Sequence, residues 1–312
     1  MIELLKILFY FLIIPGFLFT ALVGLVSTWI DRKVTARVQW RKGPPWFQPF
    51  ADVLKLLGKE TIIPEGGSVI TFLSAPLIGL AAVTLVSTML WLFNINPKGS
   101  FIGDLIVLIY LLTVPSLALI IGGSASRNPL SALGSSREMK LVLAYELPFI
   151  LAAFTVVAKA GSIIMGNIIG YQTAQGMMIT TVSGAVAFLV SLLVVQAKLG
   201  YIPFDIPEAE QEIMGGLLLE YSGPPLGAFK IMKAMLFFTL PVFMITLYLG
   251  GIDISSWMGI LWFAIKYVII LTLIILVKNT NPRIRIDQAL RFFWGPVTAL
   301  AAIGFILALV GW

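Results

Sequence analysis

Acidic side chains are scarce in this sequence, and they are concentrated in one segment. Only 15 of the 312 residues are Asp or Glu. Four of them stand in the run Pro203-Phe204-Asp205-Ile206-Pro207-Glu208-Ala209-Glu210-Gln211-Glu212, and Glu220 follows in an apolar stretch. A helix beginning after Pro207 would place Glu208 and Glu212 on one face. Neighbouring like charges and removal from water both raise the pKa of a carboxyl group. We therefore predict proton exchange near neutral pH in this segment; a hydrated acidic loop is the alternative.

One further carboxyl group is predicted to lie inside a membrane. Glu146 stands in the run Tyr145-Glu146-Leu147-Pro148, within an apolar stretch. An ionisable side chain is costly to bury in a bilayer, so such a residue is by default a candidate for ion transfer. Alternatively, it forms a structural hydrogen bond or ion pair with a neighbouring helix. Glu138 and Lys140 are expected at the membrane interface. Lys266 either pairs with a carboxylate or extends outward to the interface.

The absence of two residue types restricts the chemistry available to the chain, which contains no Cys and no His. Iron–sulfur clusters require thiolates, and haem and zinc sites usually require imidazole or thiolate. Ser/His and Cys/His nucleophile arrangements are excluded as well. No Gly-x-x-x-x-Gly-Lys-Ser/Thr phosphate loop occurs. We expect no catalytic residue, no metal site and no cofactor in this chain, so a redox centre would have to lie in a partner.

The elements that must position these carboxyl groups are transmembrane helices. Hydrophobic residues make up 59% of the chain and charged residues only 12%, against about 25% charged in typical soluble domains. We predict an all-α, polytopic membrane protein, with residues 1–312 forming a single membrane domain. About eight apolar stretches are long enough to span a bilayer. They lie at roughly 4–30, 68–93, 102–124, 140–164, 178–199, 224–250, 257–278 and 290–311.

The basic residues predict the orientation of these spans. All but four of the 21 Lys and Arg lie in or beside the connections after spans one, three, five and seven. By the positive-inside rule these connections are cytoplasmic and both termini lie outside. The predicted cytoplasmic loops cover about 31–67, 125–139, 200–223 and 279–289. The formal charge of +6 is thus attributed to topology in the plasma membrane, and no nucleic-acid partner is expected.

Two of these loops carry charged residues suited to docking a cytoplasmic partner. In the first loop they are Arg32, Lys33, Arg37, Arg41, Asp52 and Lys55, and in the last they are Arg283, Arg285 and Asp287. The first loop also contains Trp40, Trp46 and Phe47, which would suit a segment lying in the membrane interface. Partner docking and interfacial binding both stay open from the residues alone.

Taken together, four segments resemble the family of subunit 1 of respiratory complex I, which includes subunits of energy-converting membrane-bound hydrogenases. They are Asp31-Arg32-Lys33 through Lys59-Glu60, Tyr145-Glu146-Leu147-Pro148, Pro203 through Gly223, and Arg283 through Arg291. The resemblance implies a protein that anchors a peripheral redox arm and starts a proton path toward antiporter-like membrane subunits. The residues matching the path are Glu146, Asp205, Glu208, Glu210, Glu212 and Glu220. The arginine-bearing loops match the docking surface.

Three departures from the complex I pattern indicate the branch. Asp31 replaces the usual Glu, the Gly43-Pro44-Pro45 stretch is shortened, and residues 122–136 lack an expected Asn-rich pattern. These differences favour the membrane-bound hydrogenase or sulfane reductase branch. The implied partners resemble the hydrogenase large and small subunits, with iron–sulfur clusters and, in a hydrogenase, nickel–iron.

Three other functions stay open from the sequence. They are the corresponding membrane subunit of a quinone-reducing complex I, a stand-alone secondary ion transporter, and a purely structural anchor. The transporter would be expected to show internally repeated halves, and none is visible.

Overall fold

The computed structural model describes residues 2–254 and 256–311, with side chains from Leu5 onward. Every regular element in this part of the chain is a helix, which confirms the predicted all-α class. The helices are α1 (Ile2–Leu12), α2 (Phe17–Val38), α3 (Gln48–Leu57), α4 (Val69–Ile95), α5 (Asp104–Leu111), α6 (Val114–Ala125), α7 (Pro129–Ala160), α8 (Met165–Gln175), α9 (Val182–Lys198), α10 (Glu210–Ile213), α11 (Gly223–Tyr248), α12 (Trp257–Thr280), α13 (Ile286–Phe292) and α14 (Thr298–Val310). A π-helical turn, Phe293–Val297, joins the last two.

The predicted spans coincide with these helices. Within the described residues, seven helical stretches are long and apolar enough to cross a membrane. The fifth predicted span corresponds to α9, which has only 17 residues and is therefore about 26 Å long. That length is slightly below the roughly 30 Å thickness of a bilayer's hydrocarbon core. A multi-pass membrane protein follows from these lengths and compositions.

Proline breaks two of the predicted spans. The first is divided into α1 and α2 on either side of Pro15, because proline has no backbone N–H to donate to the preceding turn. The third is divided into α5 and α6 just before Pro115. Within the predicted loop at residues 31–67, α2 continues to Val38 and α3 forms at Gln48–Leu57.

The structure differs from the predicted loop over residues 125–139. Helix α7 begins at Pro129 and runs for 32 residues, so the connection from α6 is only residues 126–128. The side chain of Asn128 accepts a hydrogen bond from the N–H of Leu130 at 2.8 Å. Asn before Pro is a favourable start for a helix, and this local signal outweighs the charges that made the segment look like a loop.

Helix α8 lies in a connection that the sequence did not predict to be helical. The buried carboxylate of Asp104, at the start of α5, accepts a hydrogen bond from the N–H of Met165 at 2.9 Å. An acidic group satisfies the free N–H groups at a helix start and favours the positive end of the helix dipole. Asp104 therefore fixes the beginning of α8.

Helix α11 forms the centre of the bundle. It packs against α2 and α4, and against α3 at one end. Its most apolar 18-residue stretch is 89% buried, against 28% for α12. The apolar core around it includes Phe149, Phe237 and Phe243, which are almost completely buried.

One end of the bundle carries the connections that follow the first, third, fifth and seventh predicted spans, and we call it the loop face. It bears residues 39–68, 126–128, 199–222 and 281–285. Hydrogen bonds join these connections to one another, for example from the N–H of Ile62 to Ser222 at 3.0 Å and from the N–H of Ile284 to the carbonyl of Pro203 at 3.3 Å. The cytoplasmic orientation of this face, with both termini outside, stays a prediction.

Candidate functional site

Residues 203–222, which we call the acidic segment, are packed down onto the loop face. The chain forms a 3₁₀ turn at Ile206–Glu208, the short helix α10 and a second 3₁₀ turn at Gly216–Leu218. Several of its large apolar side chains are buried, namely Phe204, Ile206, Ile213, Leu217 and Tyr221, whereas Met214 is exposed. The predicted alternative, a hydrated loop, therefore does not describe this segment as a whole.

Two contacts hold the acidic segment against its neighbours. A side chain at Gly134 of α7 would place its Cβ 2.9 Å from the backbone nitrogen of Leu217 and 3.1 Å from the carbonyl of Pro207. Tyr221 stacks on Phe72, with ring centroids 4.0 Å apart, and donates a hydrogen bond to the Phe72 carbonyl at 3.0 Å. Burial raises the pKa of Tyr221, so its hydroxyl stays a donor.

Glu208 and Glu212 do not share a helix face, contrary to the sequence-based expectation. Glu208 ends the 3₁₀ turn, Ala209 is extended, and α10 starts only at Glu210. Glu208 consequently points inward to the ammonium of Lys233 on α11. Glu212 points outward and pairs with Arg137 at 2.5 Å. The two carboxylates therefore do not lie side by side.

Glu208 lines a small cavity between the acidic segment and helices α6, α7, α9 and α11. Its volume, taken as the space open to the centre of a water molecule, is about 20 Å³, enough for roughly one water. Its polar lining comes from Ser116, Glu138, Lys198, Asp205, Glu208 and Lys233. We call it the central cavity.

Glu146 forms a buried ion pair with Lys198. The Nζ of Lys198 lies 2.5 Å from Oε1 of Glu146, and the two side chains are 1% and 19% exposed. The ammonium also lies over the rings of Tyr145 and Phe149, at 4.9 and 4.7 Å from their centroids. Glu146 thus has an ion-pair partner on a neighbouring helix, and its role in ion transfer stays a prediction.

Glu138 is a buried residue that sequence reasoning misplaced. It was expected at the interface, but it is only 6% exposed and lines the central cavity. The misplacement follows from the early start of α7 at Pro129, which carries Glu138 into the bundle beside Ser116. Its separation of eight residues from Glu146 puts the two about 80° apart around the helix axis, within the width of one helix face.

Asp205 pairs with Arg283 at the rim of the same cavity. Its Oδ2 lies 2.6 Å from the guanidinium, while its buried Oδ1 has no hydrogen-bond partner. Burial raises the pKa of Asp205 above its ordinary value, although Arg283 acts in the opposite direction. Asp205 also lines a groove of about 230 Å³ together with Arg137, Glu212, Arg285 and Asp287. Arg283, which the sequence predicted to dock a partner, is therefore the ion-pair partner of Asp205 beside the central cavity.

The six predicted path residues thus fall into two groups. Glu146, Asp205 and Glu208 each have a cation and lie in or beside the central cavity. The other three lie farther out. Glu220 accepts a hydrogen bond from Asn128 at 2.5 Å, Glu212 pairs with Arg137, and Glu210 is exposed.

The predicted docking residues of the first loop are partly engaged with each other. Arg32 pairs with Asp52 at 2.9 Å, and Gln48 donates a second hydrogen bond to Asp52 at 2.9 Å. Burial alone would raise the pKa of Asp52, but these hydrogen bonds outweigh it and lower the pKa. Trp40 is 97% exposed.

The remaining docking candidates differ mainly in exposure. Those exposed on the loop face are Arg37, Arg41, Lys55, Arg285 and Asp287, whereas Lys33 is half-buried. Asp31, just before them, is buried and pairs with Lys278 at 2.7 Å.

A second cavity adjoins the central one. It lies between α2, α3 and α11, has a volume of about 240 Å³, and is lined by Arg32, Asp52, Tyr201 and Lys230 among others. Glu208 and Lys233 line both cavities. The Glu208–Lys233 pair therefore stands between the central cavity and the second one.

Lys266 bonds to a backbone carbonyl and not to a carboxylate. Its ammonium donates a hydrogen bond to the carbonyl of Leu249 at 2.5 Å, just past the end of α11. No carboxylate of the described residues lies within ion-pairing distance of it. Backbone carbonyls at a helix end have no intrahelical partner, so Lys266 stabilises the end of α11.

Comparison with known proteins places this arrangement in a family. The sequence model of the family described as NADH dehydrogenase matches residues 10–309. The chain belongs to the NADH dehydrogenase family. It is 32% identical to the H subunit of NADH-quinone oxidoreductase from Dehalococcoides mccartyi, over 96% of this chain and 85% of the relative. It is 30% identical to the same protein of Geobacillus thermodenitrificans, over 96% and 91% of the two chains.

A solved structure extends the likeness to the fold. A chain from the structure of the membrane-bound sulfane sulfur reductase, an archaeal respiratory membrane complex, superposes with a TM-score of 0.88 and 31% sequence identity. The match covers 97% of this chain and 99% of the other. These comparisons confirm the resemblance to the complex I subunit 1 family, including its sulfane reductase branch.

Proposed function

We propose that this chain is the membrane-anchor and ion-coupling subunit of a complex-I-like, ferredoxin-linked, ion-translocating redox complex. In this proposal the complex is a membrane-bound hydrogenase or a sulfur or polysulfide reductase. The chain connects a peripheral iron–sulfur arm to an ion-translocating membrane arm. The likeness to a chain of the sulfane sulfur reductase complex over nearly the full length of both chains supports this branch.

The observation that carries the proposal is the placement of the Glu208–Lys233 pair. Glu208 belongs to the acidic segment on the loop face, whereas Lys233 belongs to the central helix α11. Electrostatic interactions strengthen as the surroundings become less polar. A small displacement of the acidic segment by a partner would therefore change the charge balance around the central cavity and the proton affinity of its carboxyl groups.

The loop face supplies the surface for that partner. Arg37, Arg41, Lys55 and Arg285 are exposed there, beside the exposed ring of Trp40. Arginine and tryptophan are typical of the residues that dominate protein interfaces. The proposed partners are peripheral subunits resembling hydrogenase large and small subunits, which hold the iron–sulfur and, in a hydrogenase, nickel–iron centres. Antiporter-like subunits would contact the chain within the plasma membrane.

The coupling role is tested with Glu208→Gln and Glu146→Gln in the intact complex reconstituted into vesicles. Each variant removes one carboxylate of an ion pair while keeping the side-chain size. Electron transfer to the terminal acceptor should persist when the vesicles are uncoupled, whereas ion uptake per electron should fall at least about tenfold. Glu65→Gln, an exposed carboxylate outside the site, is the matched control and should pump normally. Normal pumping by both site variants would refute the coupling role.

A second candidate, the corresponding membrane subunit of a quinone-reducing complex, is favoured by the names of the curated relatives. The second cavity is the place for a quinone ring, but at about 240 Å³ it is smaller than the roughly 300–1,000 Å³ typical of small-molecule pockets. Quinone-dependent electron transfer by the purified complex would favour this candidate.

Mild detergent extraction of a tagged chain distinguishes these complexes from a stand-alone transporter. The proposal expects co-purifying subunits with bound iron and sulfide, and nickel in the hydrogenase case. A chain that purifies alone and moves ions by itself in vesicles would contradict it.

A further inference from the structure

The charges around the central cavity do not balance in pairs. Three acids each face their own cation: Glu146 faces Lys198, Asp205 faces Arg283, and Glu208 faces Lys233. Asp205, Glu208 and a fourth acid, Glu138, line the cavity, and Glu146 adjoins it through its partner Lys198. Across the described stretches of the chain, no Lys or Arg comes within ion-pairing distance of Glu138. With all four acids ionised, the group would carry one unbalanced negative charge.

The surroundings of Glu138 make that extra charge unfavourable. The residue is 6% exposed, and the hydroxyl of Ser116, which lies 3.1 Å from that of Tyr145, lines the cavity beside it. An isolated buried carboxylate is far more costly than a neutral carboxylic acid in the same place. Lys198 and Lys233 line the cavity too, but each is held by another carboxylate. One bound proton is therefore the simplest way to balance the group.

We propose that Glu138 is the proton-carrying residue of the central cavity, loaded from the loop face and unloaded when a cavity lysine is released to it. This assignment rests on the coupling function proposed above and names the residue that performs it. The proton comes from water at the loop face and binds the Glu138 carboxylate. On unloading, it leaves through cavity water to the next acceptor in the membrane arm, and Glu138 returns to the carboxylate form.

The position of the central cavity accounts for both the loading and the unloading of Glu138. Glu208 and Lys233 separate the central cavity from the second cavity, and Asp205 separates it from the groove beside Arg285. Either route brings water from the loop face to within one layer of side chains of Glu138. If the acidic segment moves and Glu208 leaves Lys233, the freed ammonium can pair with Glu138. That pairing favours the ionised form, so the proton is expelled.

The experiment uses Glu138→Gln in the intact complex, with Glu138→Asp as the conservative variant and Glu65→Gln as the control. In redox-induced infrared difference spectra, the carbonyl stretch of a protonated carboxyl group should be present in wild type and Glu65→Gln. Glu138→Gln should lose that band, and its ion uptake per electron should fall at least about tenfold while uncoupled electron transfer persists. Glu138→Asp should retain the band, shifted, and part of the pumping.

The outcomes separate this assignment from the coupling function itself. If Glu138→Gln pumps normally with an unchanged infrared spectrum, while Glu208→Gln and Glu146→Gln fail to pump, the assignment of Glu138 is wrong and the function stands. If none of the three variants affects pumping, the function itself is wrong. A Glu138→Asp protein that assembles but lacks both the band and the pumping would also overturn the assignment, because a titratable group is still present.

Discussion

Replacing Lys198 with methionine tests whether the buried pair with Glu146 stabilises the bundle. The side chain of Lys198 is 1% exposed, and its ammonium lies 2.5 Å from Glu146. Methionine keeps an unbranched side chain as far as the Cε position but leaves the carboxylate without its cation. Removing one partner of a buried ion pair typically costs about 3–5 kcal/mol. The lost contacts of the ammonium with Tyr145 and Phe149 add roughly 0.5–2 kcal/mol, part of which the methionine sulfur regains.

The double variant Lys198→Met/Glu146→Gln separates the ion pair from the packing. With both charges absent, no buried carboxylate is left unpaired, and replacing a whole buried pair by uncharged groups is often nearly neutral. We expect the double variant to lose only about 1–2 kcal/mol, less than Lys198→Met alone. Two substitutions that did not interact would instead give additive losses.

The measurement is hydrogen–deuterium exchange of peptides from α7 and α9 in the intact complex. Exchange through local opening reports the free energy of that opening, and about 1.4 kcal/mol corresponds to a tenfold change. Lys198→Met should therefore lower protection by roughly 100- to 4,000-fold, and the double variant by no more than about 30-fold. The reasoning is refuted if Lys198→Met exchanges like wild type, or if the double variant exchanges faster than either single one.

Two further predictions concern the loop face. Gly134→Ala should destabilise the docking of the acidic segment by about 1–3 kcal/mol, because the new Cβ would lie 2.9 Å from the backbone nitrogen of Leu217; limited proteolysis within residues 204–222 should become faster. Gly170→Ala in α8, where nothing lies within 4 Å of the added Cβ, is the control and should leave that cleavage unchanged. The pKa of Asp52 is lowered on folding from its ordinary value of 3.8, so its stabilising contribution is present at neutral pH and is lost as the pH falls below 3.8 through the lowered pKa. Because Arg32 and Asp52 are 45% and 29% exposed, that contribution should be at most about 1 kcal/mol and should weaken with salt. Hydrogen–deuterium exchange of α3 measured against pH should show the loss of protection. Asp52→Asn should abolish this pH dependence.

The membrane spans were predictable because a transmembrane helix lies in hydrocarbon along its whole length. Its residues are therefore mostly apolar, and hydropathy detects such a stretch. Hydropathy does not detect a helical segment that is rich in charged residues. Arg137, Glu138 and Lys140 made the first turns of α7 look like a loop, although the Asn128-Pro129 cap was visible in the sequence. Local cap chemistry, weighed before the charges, would have placed Glu138 correctly.

The candidate site was predictable in its acids but not in its cations. Glu146, Asp205 and Glu208 were identified from the sequence, whereas their partners Lys198, Arg283 and Lys233 lie 52, 78 and 25 residues away along the chain. Pairing over such separations depends on tertiary packing, which a single sequence does not encode locally. The relation between Glu208 and Glu212 was wrong for a different reason, since the extended Ala209 interrupts the helical turn.

The central position of α11 has a consequence for the biogenesis of the protein. Its inward-facing Lys233, Thr239 and Thr246 would meet hydrocarbon if the helix stood alone in the bilayer. The ribosome, however, delivers α2, α3 and α4 before α11, and domains synthesised first tend to fold first. Helices α2 and α4, which pack against α11, are thus already in the membrane when α11 leaves the translocon.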